Sequence, residues 1–153
     1  MPIFFYESDI GRIGIAEKDG KITNVYFKED EAPKDMQLSE TPLLKEAAVQ
    51  LESYFRGELK EFSLSLEPTG TDFMKQVWEA LCEIPYGETA SYGEIAEKVG
   101  KPKAARAVGL ANNRNPIPIV IPCHRVIGAD GSLTGYGGGL DLKKRLLDLE
   151  KMK

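Results

Sequence analysis

A thiol, the only histidine of the chain and an arginine follow one another at Cys123-His124-Arg125. The thiolate of cysteine is a strong nucleophile, and imidazole is the side chain best suited to take its proton near neutral pH. An ordinary thiol, with a pKa near ~8.5, is only a few per cent ionised at pH 7, so sulfur chemistry here needs help. Lowering that pKa by ~3 units corresponds to roughly 4 kcal/mol of preference for the anion, which a paired imidazole and a helix N-terminus are suited to supply. Just upstream, Ile119-Val120-Ile121 is an apolar β-branched run that reads as a buried strand, and Pro122 ends it. Adjacent side chains in extended backbone point to opposite faces, so His124 is expected to act on Cys123 through a water rather than directly. A carboxylate on the far imidazole nitrogen would fix the tautomer, but the sequence alone does not choose among its acidic residues. The bland alternative is a buried structural cysteine, against which the polar neighbours His124 and Arg125 weigh.

The elements that must position these residues divide the chain. Residues 3–7, 12–17 and 21–27 read as strands, with a hairpin signal at Asp19-Gly20, and the polar stretch Glu29 to Glu40 reads as a surface loop. Thr41-Pro42 opens a helix that carries Leu44, Ala47, Ala48, Leu51, Tyr54 and Phe55 at helical spacing and ends at Gly57. Phe62 to Leu66 alternates with period two and reads as another strand. Pro68-Thr69-Gly70 marks a boundary, giving a first domain over 1–68 and a second over 69–153. Thr71 caps a helix through Phe73, Val77, Trp78 and Leu81. Ser91 and Glu94 form a capping box before Tyr92, Ile95, Ala96 and Val99. After Gly100, Lys101-Pro102 restarts a second helix through Ala104, Ala105, Val108 and Ala111. Two short helices around a glycine turn read as a helix-turn-helix. Gly128 to Gly131 is a turn, Gly135 to Gly139 a glycine-rich loop containing Tyr136, and Leu140 to Glu150 a final amphipathic helix.

Composition bounds the rest. The 153 residues are 42% hydrophobic and 29% charged with a net charge of −4, which suits a globular protein. No apolar run reaches the length of a membrane span and no signal peptide is seen, so a cytoplasmic protein with no membrane partner is expected. Two distant cysteines, Cys82 and Cys123, are then expected as reduced thiols. One histidine and two cysteines make a zinc site improbable, and neither a metal nor a cofactor is expected. The glycine loop lacks the lysine and hydroxyl residue of a phosphate loop. Despite the acidic total, Lys98, Lys101, Lys103, Arg106 and Arg114 share a stretch without one acidic residue. That stretch is either a solvated helix face or a phosphate-facing surface. Its small residues, Ala104, Ala105, Ala107, Gly109 and Ala111, allow close approach to a core or to a nucleic-acid groove.

Pro122-Cys123-His124-Arg125-Val126 resembles the active-site motif of the O6-alkylguanine-DNA alkyltransferases, also called methylated-DNA–protein-cysteine methyltransferases. Arg106-Ala107-Val108-Gly109, Asn115-Pro116, Ile119-Val120-Ile121-Pro122, Tyr136-Gly137-Gly138-Gly139-Leu140 and Glu150 all sit at family-like spacing. The resemblance covers Thr71 to Glu150, while the first 68 residues match in general pattern. It implies a small α/β, ribonuclease-H-like N-terminal domain, followed by a mainly α, winged-helix-like domain that carries the helix-turn-helix. It implies stoichiometric, irreversible transfer of an alkyl group from O6 of guanine, and from O4 of thymine, to Cys123. His124 would be the base acting through water, Glu150 would orient it, and Asn115 would be the hinge between helix-turn-helix and active site. Tyr92 would crowd the 3′ phosphate and donate a proton to the guanine ring. Tyr136 and the backbone around Val126, Gly137 and Gly138 would hold the flipped base. Arg106 would enter the duplex as a finger, with Tyr92, Lys103, Ala105 and Arg114 also on the DNA. The implied partner is double-stranded DNA containing O6-alkylguanine, bound by a monomer through the minor groove without sequence preference. Gly137 departs from relatives that carry serine there, and Leu110, Asn112 and Asn113 depart from some relatives on the recognition helix. Two other classes remain open from the residues alone: a helix-turn-helix binder without catalysis, and a thiol hydrolase.

Overall fold

The computed structural model describes residues 1–133, 135–136 and 138–151. The chain divides into two compact units, Met1–Thr69 and Gly70–Lys153.

The first unit is built on an antiparallel meander of β1 (Pro2–Ser8), β2 (Gly11–Lys18) and β3 (Lys21–Tyr26). Asp19 and Gly20 both take positive φ, 52° and 80°, as a two-residue turn between right-twisted strands demands. The polar stretch expected to be a loop also holds a 3₁₀ turn at Glu29–Glu31 and a short strand, β4 (Gln37–Leu38). β4 pairs parallel with β1, so the sheet order is β3-β2-β1-β4. Helix α1 (Pro42–Phe55) starts at Thr41, whose hydroxyl accepts from the Leu44 N–H at 3.1 Å, and it packs against β2. Its buried face is Leu44, Ala47, Leu51, Tyr54 and Phe55. Phe62 to Leu66 is not a regular strand. Leu66 bridges Ile22, but the Ser63 N–H donates to Gln50 Oε1 of α1 at 2.9 Å, so a side-chain amide takes the place of a sheet neighbour.

The second unit holds α2 (Asp72–Cys82), α3 (Tyr92–Lys98), α4 (Ala105–Asn113) and α5 (Leu140–Lys151). Thr71 caps α2, and Ser91 and Glu94 close a reciprocal capping box on α3. The helix expected to restart at Pro102 begins only at Ala105: residues 101–104 form a turn closed by the Ala104 N–H on the Lys101 carbonyl, and Ala104 at the N-cap has no side-chain oxygen for the first N–H groups. Trp78, 1% exposed, joins α2 to α4 by donating from Nε1 to the Ala111 carbonyl at 2.9 Å. A Cβ at Gly109 would meet the Tyr92 ring at 3.7 Å, an ordinary van der Waals contact, so α3 lies close on α4 at this point without requiring the glycine. Two short parallel strands that the sequence did not announce, β5 (Ala90–Ser91) and β6 (Val126–Ile127), pair Ala90 with Val126 and Ser91 with Ile127.

In the run Ile119 to Ile121 the two isoleucines are buried, as expected, and Val120 is half-buried, but the run is not a strand. Among the described residues it has one isolated bridge, Pro118 to Ile121, and Ile119 takes φ +74°, a costly conformation for a β-branched residue. Asn115 holds this turn at both ends: Nδ2 donates to the Ile121 carbonyl at 2.8 Å, and Oδ1 accepts from the Ile117 N–H at 2.9 Å. No described helix is long and apolar enough to cross a membrane.

Candidate active site

The Asn115 turn delivers Cys123 into a 3₁₀ segment, Cys123–Arg125. With three residues per turn, successive side chains diverge by about 120° around the axis. Cys123 and His124 therefore still point apart, although not for the reason extended backbone gives. Cys123 is 3% exposed and His124 fully buried.

His124 Nε2 lies 2.7 Å from Glu150 Oε2 of α5. Arg125 clamps the same carboxylate, with Nε on Oε1 at 2.8 Å and Nη2 on Oε2 at 3.1 Å. The Gly87 N–H donates to Oε1 at 3.2 Å. The remaining Arg125 nitrogen, Nη1, donates to the Ile84 carbonyl at 2.7 Å, and the guanidinium lies 5.7 Å from the centre of the Tyr86 ring. Arg125 and the Gly87 N–H already donate to this carboxylate, so the imidazole donates to it from Nε2, which leaves Nδ1 as the acceptor nitrogen. Burial holds the His124 pKa below its ordinary value, against the pull of Glu150; Arg125 and Lys143 add to the depression. His124 is thus a neutral base at pH 7.

The thiol behaves otherwise than the sequence led one to expect. Burial pushes the Cys123 pKa up, while hydrogen bonds from Asn115 and Tyr136 and the charge of Lys143 pull it down. The helical segment that Cys123 opens is a 3₁₀ turn only three residues long, too short to supply the dipole of a full helix N-terminus. The thiol therefore rests protonated, close in sequence to a neutral imidazole.

Lys143 was not visible as a functional residue in the sequence. It is 0% exposed, on the same stripe of α5 as Leu146, Leu147 and Glu150. Burial lowers its pKa and the Cys123 thiolate raises it. The stripe thus carries a cation at one end and a carboxylate two turns away, and α5 packs on the Cys123 segment. The signal was available: Lys143 falls on the apolar register of an amphipathic helix. Arg125 was quoted in the motif without a role, and the fold gives it one.

Tyr92, Lys103, Ala105, Arg106, Gly109 and Leu110 line an open concave face along α4. Lys103, Arg106 and Arg114 are exposed, and Leu110 is 52% exposed. Arg114 caps the far end of α4 and is not among the residues lining this face. Val126, directly after the Cys123–Arg125 segment, is buried and held by β5; Tyr136 and Gly138 are half-buried. Gly137 lies outside the described residues.

Known proteins match along the whole chain. The family description 6-O-methylguanine DNA methyltransferase, ribonuclease-like domain, matches residues 3–68, and its DNA binding domain matches residues 72–152. A protein named methylated-DNA–protein-cysteine methyltransferase from Methanosarcina barkeri is 57% identical over 149 residues, 95% of this chain and 94% of that one. One of the same name from Mycobacterium leprae is 54% identical, covering 95% of this chain and 89% of that one. Among solved structures, Mycobacterium tuberculosis OGT in complex with DNA superposes with TM-score 0.93 and 50% identity over 99% of this chain and 94% of that one.

Proposed function

The chain belongs to the 6-O-methylguanine DNA methyltransferase family, and from that premise we propose that it repairs DNA by taking an alkyl group from O6 of guanine onto Cys123. The observation that carries this reading is the Cys123 site: a buried thiol on a rigid turn, next in sequence to a neutral imidazole that a hydrogen-bonded carboxylate holds in one tautomer. Neither a catalytically silent DNA binder nor a thiol hydrolase is favoured beside relatives of this identity.

The chemistry is a displacement at carbon. His124 Nδ1 takes the Cys123 proton through a bridging water. The sulfur attacks the alkyl carbon, the S–C bond forms, and the C–O6 bond breaks with its electron pair going to the base. The Tyr92 hydroxyl gives the departing guanine a proton and regains one from solvent as His124 returns to neutral. Asn115, Tyr136 and the Lys143 cation stabilise the developing thiolate before it is consumed. The product is a thioether, which does not revert, so each chain reacts once. O4-alkylthymine is a second substrate of the same displacement.

A stacked base cannot reach a thiol that is 3% exposed, so the nucleotide leaves the duplex first, at a cost of a few kcal/mol. The α4 face supports this step. Its alanines and glycine allow close backbone approach in a minor groove, Lys103 and Arg114 grip phosphates without reading sequence, and Arg106 fills the gap. Tyr136 and the backbone at Val126, Gly137 and Gly138 hold the flipped base. One chain supplies every group named, so the acting species is a monomer. The test is a titration: protein against duplex with methyl-labelled O6-methylguanine, followed by mass spectrometry of the Cys123 peptide. One methyl per chain on Cys123, and none in Cys123→Ser with DNA binding retained, is expected. Turnover beyond one, or the methyl on Cys82, would overturn the reading.

A further inference from the structure

The reaction described above gives no role to Asn112, a buried polar side chain of the second unit. It stands in the last turn of α4 and is 2% exposed. Its Nδ2 donates to the carbonyl of Cys123 at 3.2 Å. Its Oδ1 is buried and accepts no hydrogen bond from the described residues. Buried acceptors in native proteins are nearly always satisfied, so one left open calls for a donor that arrives later.

Asn115, one turn further on, is the contrast. Both polar atoms of its amide are in use, on Ile121 and Ile117, and its side chain also hydrogen-bonds the Cys123 thiol, so it already has a place in the site. Asn112 is only half used. The two polar atoms of an amide share one carbon, so tying Nδ2 to the Cys123 carbonyl also fixes Oδ1 next to the nucleophile's own backbone. The glycine-rich loop closes near the same place. A Cβ at Gly135 would come within 3.1 Å of Asn113, so this loop lies directly on the end of α4. The open acceptor therefore sits on α4 beside the nucleophile's own backbone, one residue before the Asn113 that Gly135 approaches.

We propose that Asn112 is a specificity-determining residue, whose Oδ1 accepts a hydrogen bond from the exocyclic 2-amino group of the flipped guanine. This rests on the function proposed above. Alkylation at O6 removes the proton from N1, so the 2-amino group is the one donor left on that edge of the base. O4-alkylated thymine has lost its N3 proton and offers no donor there. The open oxygen thus favours alkylguanine over alkylthymine, because only the purine completes it; a site built to pair with a polar group rejects the analogue that lacks it.

The experiment crosses residue with base in single-turnover methyl transfer to Cys123 by the full chain. The duplexes carry O6-methylguanine, O6-methylhypoxanthine (the same base without the 2-amino group) or O4-methylthymine. The wild type is expected to react about tenfold faster with O6-methylguanine than with O6-methylhypoxanthine, the value of one buried hydrogen bond. Asn112→Leu, similar in shape without polar atoms, and the smaller Asn112→Ser are each expected to bring that ratio close to one. Both should lose less rate on O4-methylthymine than on O6-methylguanine. A wild-type ratio near one overturns the proposal without any variant. A ratio that survives in a variant overturns it too and leaves Asn112 as scaffolding for the Cys123 carbonyl. No transfer to Cys123 from any duplex would instead bring down the proposed function itself.

Discussion

Glu150→Gln tests the polar cluster behind Cys123 most severely. The wild-type carboxylate receives donors on both oxygens: Arg125 Nε and Gly87 N–H on Oε1, His124 Nε2 and Arg125 Nη2 on Oε2. A glutamine has one oxygen and one NH₂, so whichever way it turns, the NH₂ confronts two of them. Arginine and the backbone cannot change their donors, whereas histidine can move its proton. The glutamine oxygen therefore takes the Oε1 position, the NH₂ donates to His124 Nε2, and the histidine proton moves to Nδ1. One donor–donor conflict with Arg125 Nη2 remains, and a buried guanidinium loses its counter-charge. Breaking a buried pair in this way costs about 3–5 kcal/mol of stability. Nδ1 can no longer accept a proton, and where a base histidine is held in the wrong tautomer by the same acid-to-amide change the rate falls about 10⁴-fold. Urea unfolding measures the first effect. Single-turnover methyl transfer measures the second, without urea and at a temperature where circular dichroism finds the variant folded. A folded variant that loses less than tenfold in rate would refute the tautomer argument. A variant as stable as the wild type would refute the account of Arg125.

Two further expectations follow from the geometry. Lys143→Met removes the charge that pulls the Cys123 pKa down, so iodoacetamide alkylation of Cys123 should move to higher pH, and each whole pH step of that displacement slows the reaction at pH 7 by about tenfold; superimposable pH profiles would show that Lys143 does not act on the sulfur. Arg106→Ala should slow repair in duplex DNA far more than reaction with free O6-benzylguanine, which needs no flipping, whereas Lys103→Ala should mainly weaken DNA binding and reduce its salt slope by about one; equal slowing of both substrates in Arg106→Ala would deny it the role of a finger.

What the sequence displayed well was local chemistry. The Asp19-Gly20 hairpin, the Thr41 and Thr71 caps and the Ser91–Glu94 box each satisfy their own backbone within a few residues, and each stands as its residue types dictate. What it concealed were backbone groups satisfied by side chains that lie outside their own run. The β-branched run at Ile119–Ile121 has the composition of a strand, yet Asn115 answers its polar groups, and Ile119 is forced to positive φ. Phe62–Leu66 alternates like a strand, yet Gln50 stands where a neighbour would. In the site, Cys123 and His124 were legible as a pair. Glu150 came from resemblance, since nothing local separates it from the other acids. Lys143 passed as an ordinary charge of an amphipathic helix, because its burial is set by a surface that folds against it from a distant part of the chain.

The pairing of β5 with β6 has a consequence for synthesis. These two-residue strands are separated in sequence by α3, α4 and the Asn115 turn, and the ligands of Arg125 come from Ile84 on one side and Glu150 on the other. Such long-range closures carry a loop-entropy cost that local contacts do not offset, and they form late. On the ribosome, Cys123 emerges before Lys143 and Glu150 exist to face it. Until α5 has followed, neither the Glu150 carboxylate that binds His124 and Arg125 nor the Lys143 amine that acts on the thiol is in place.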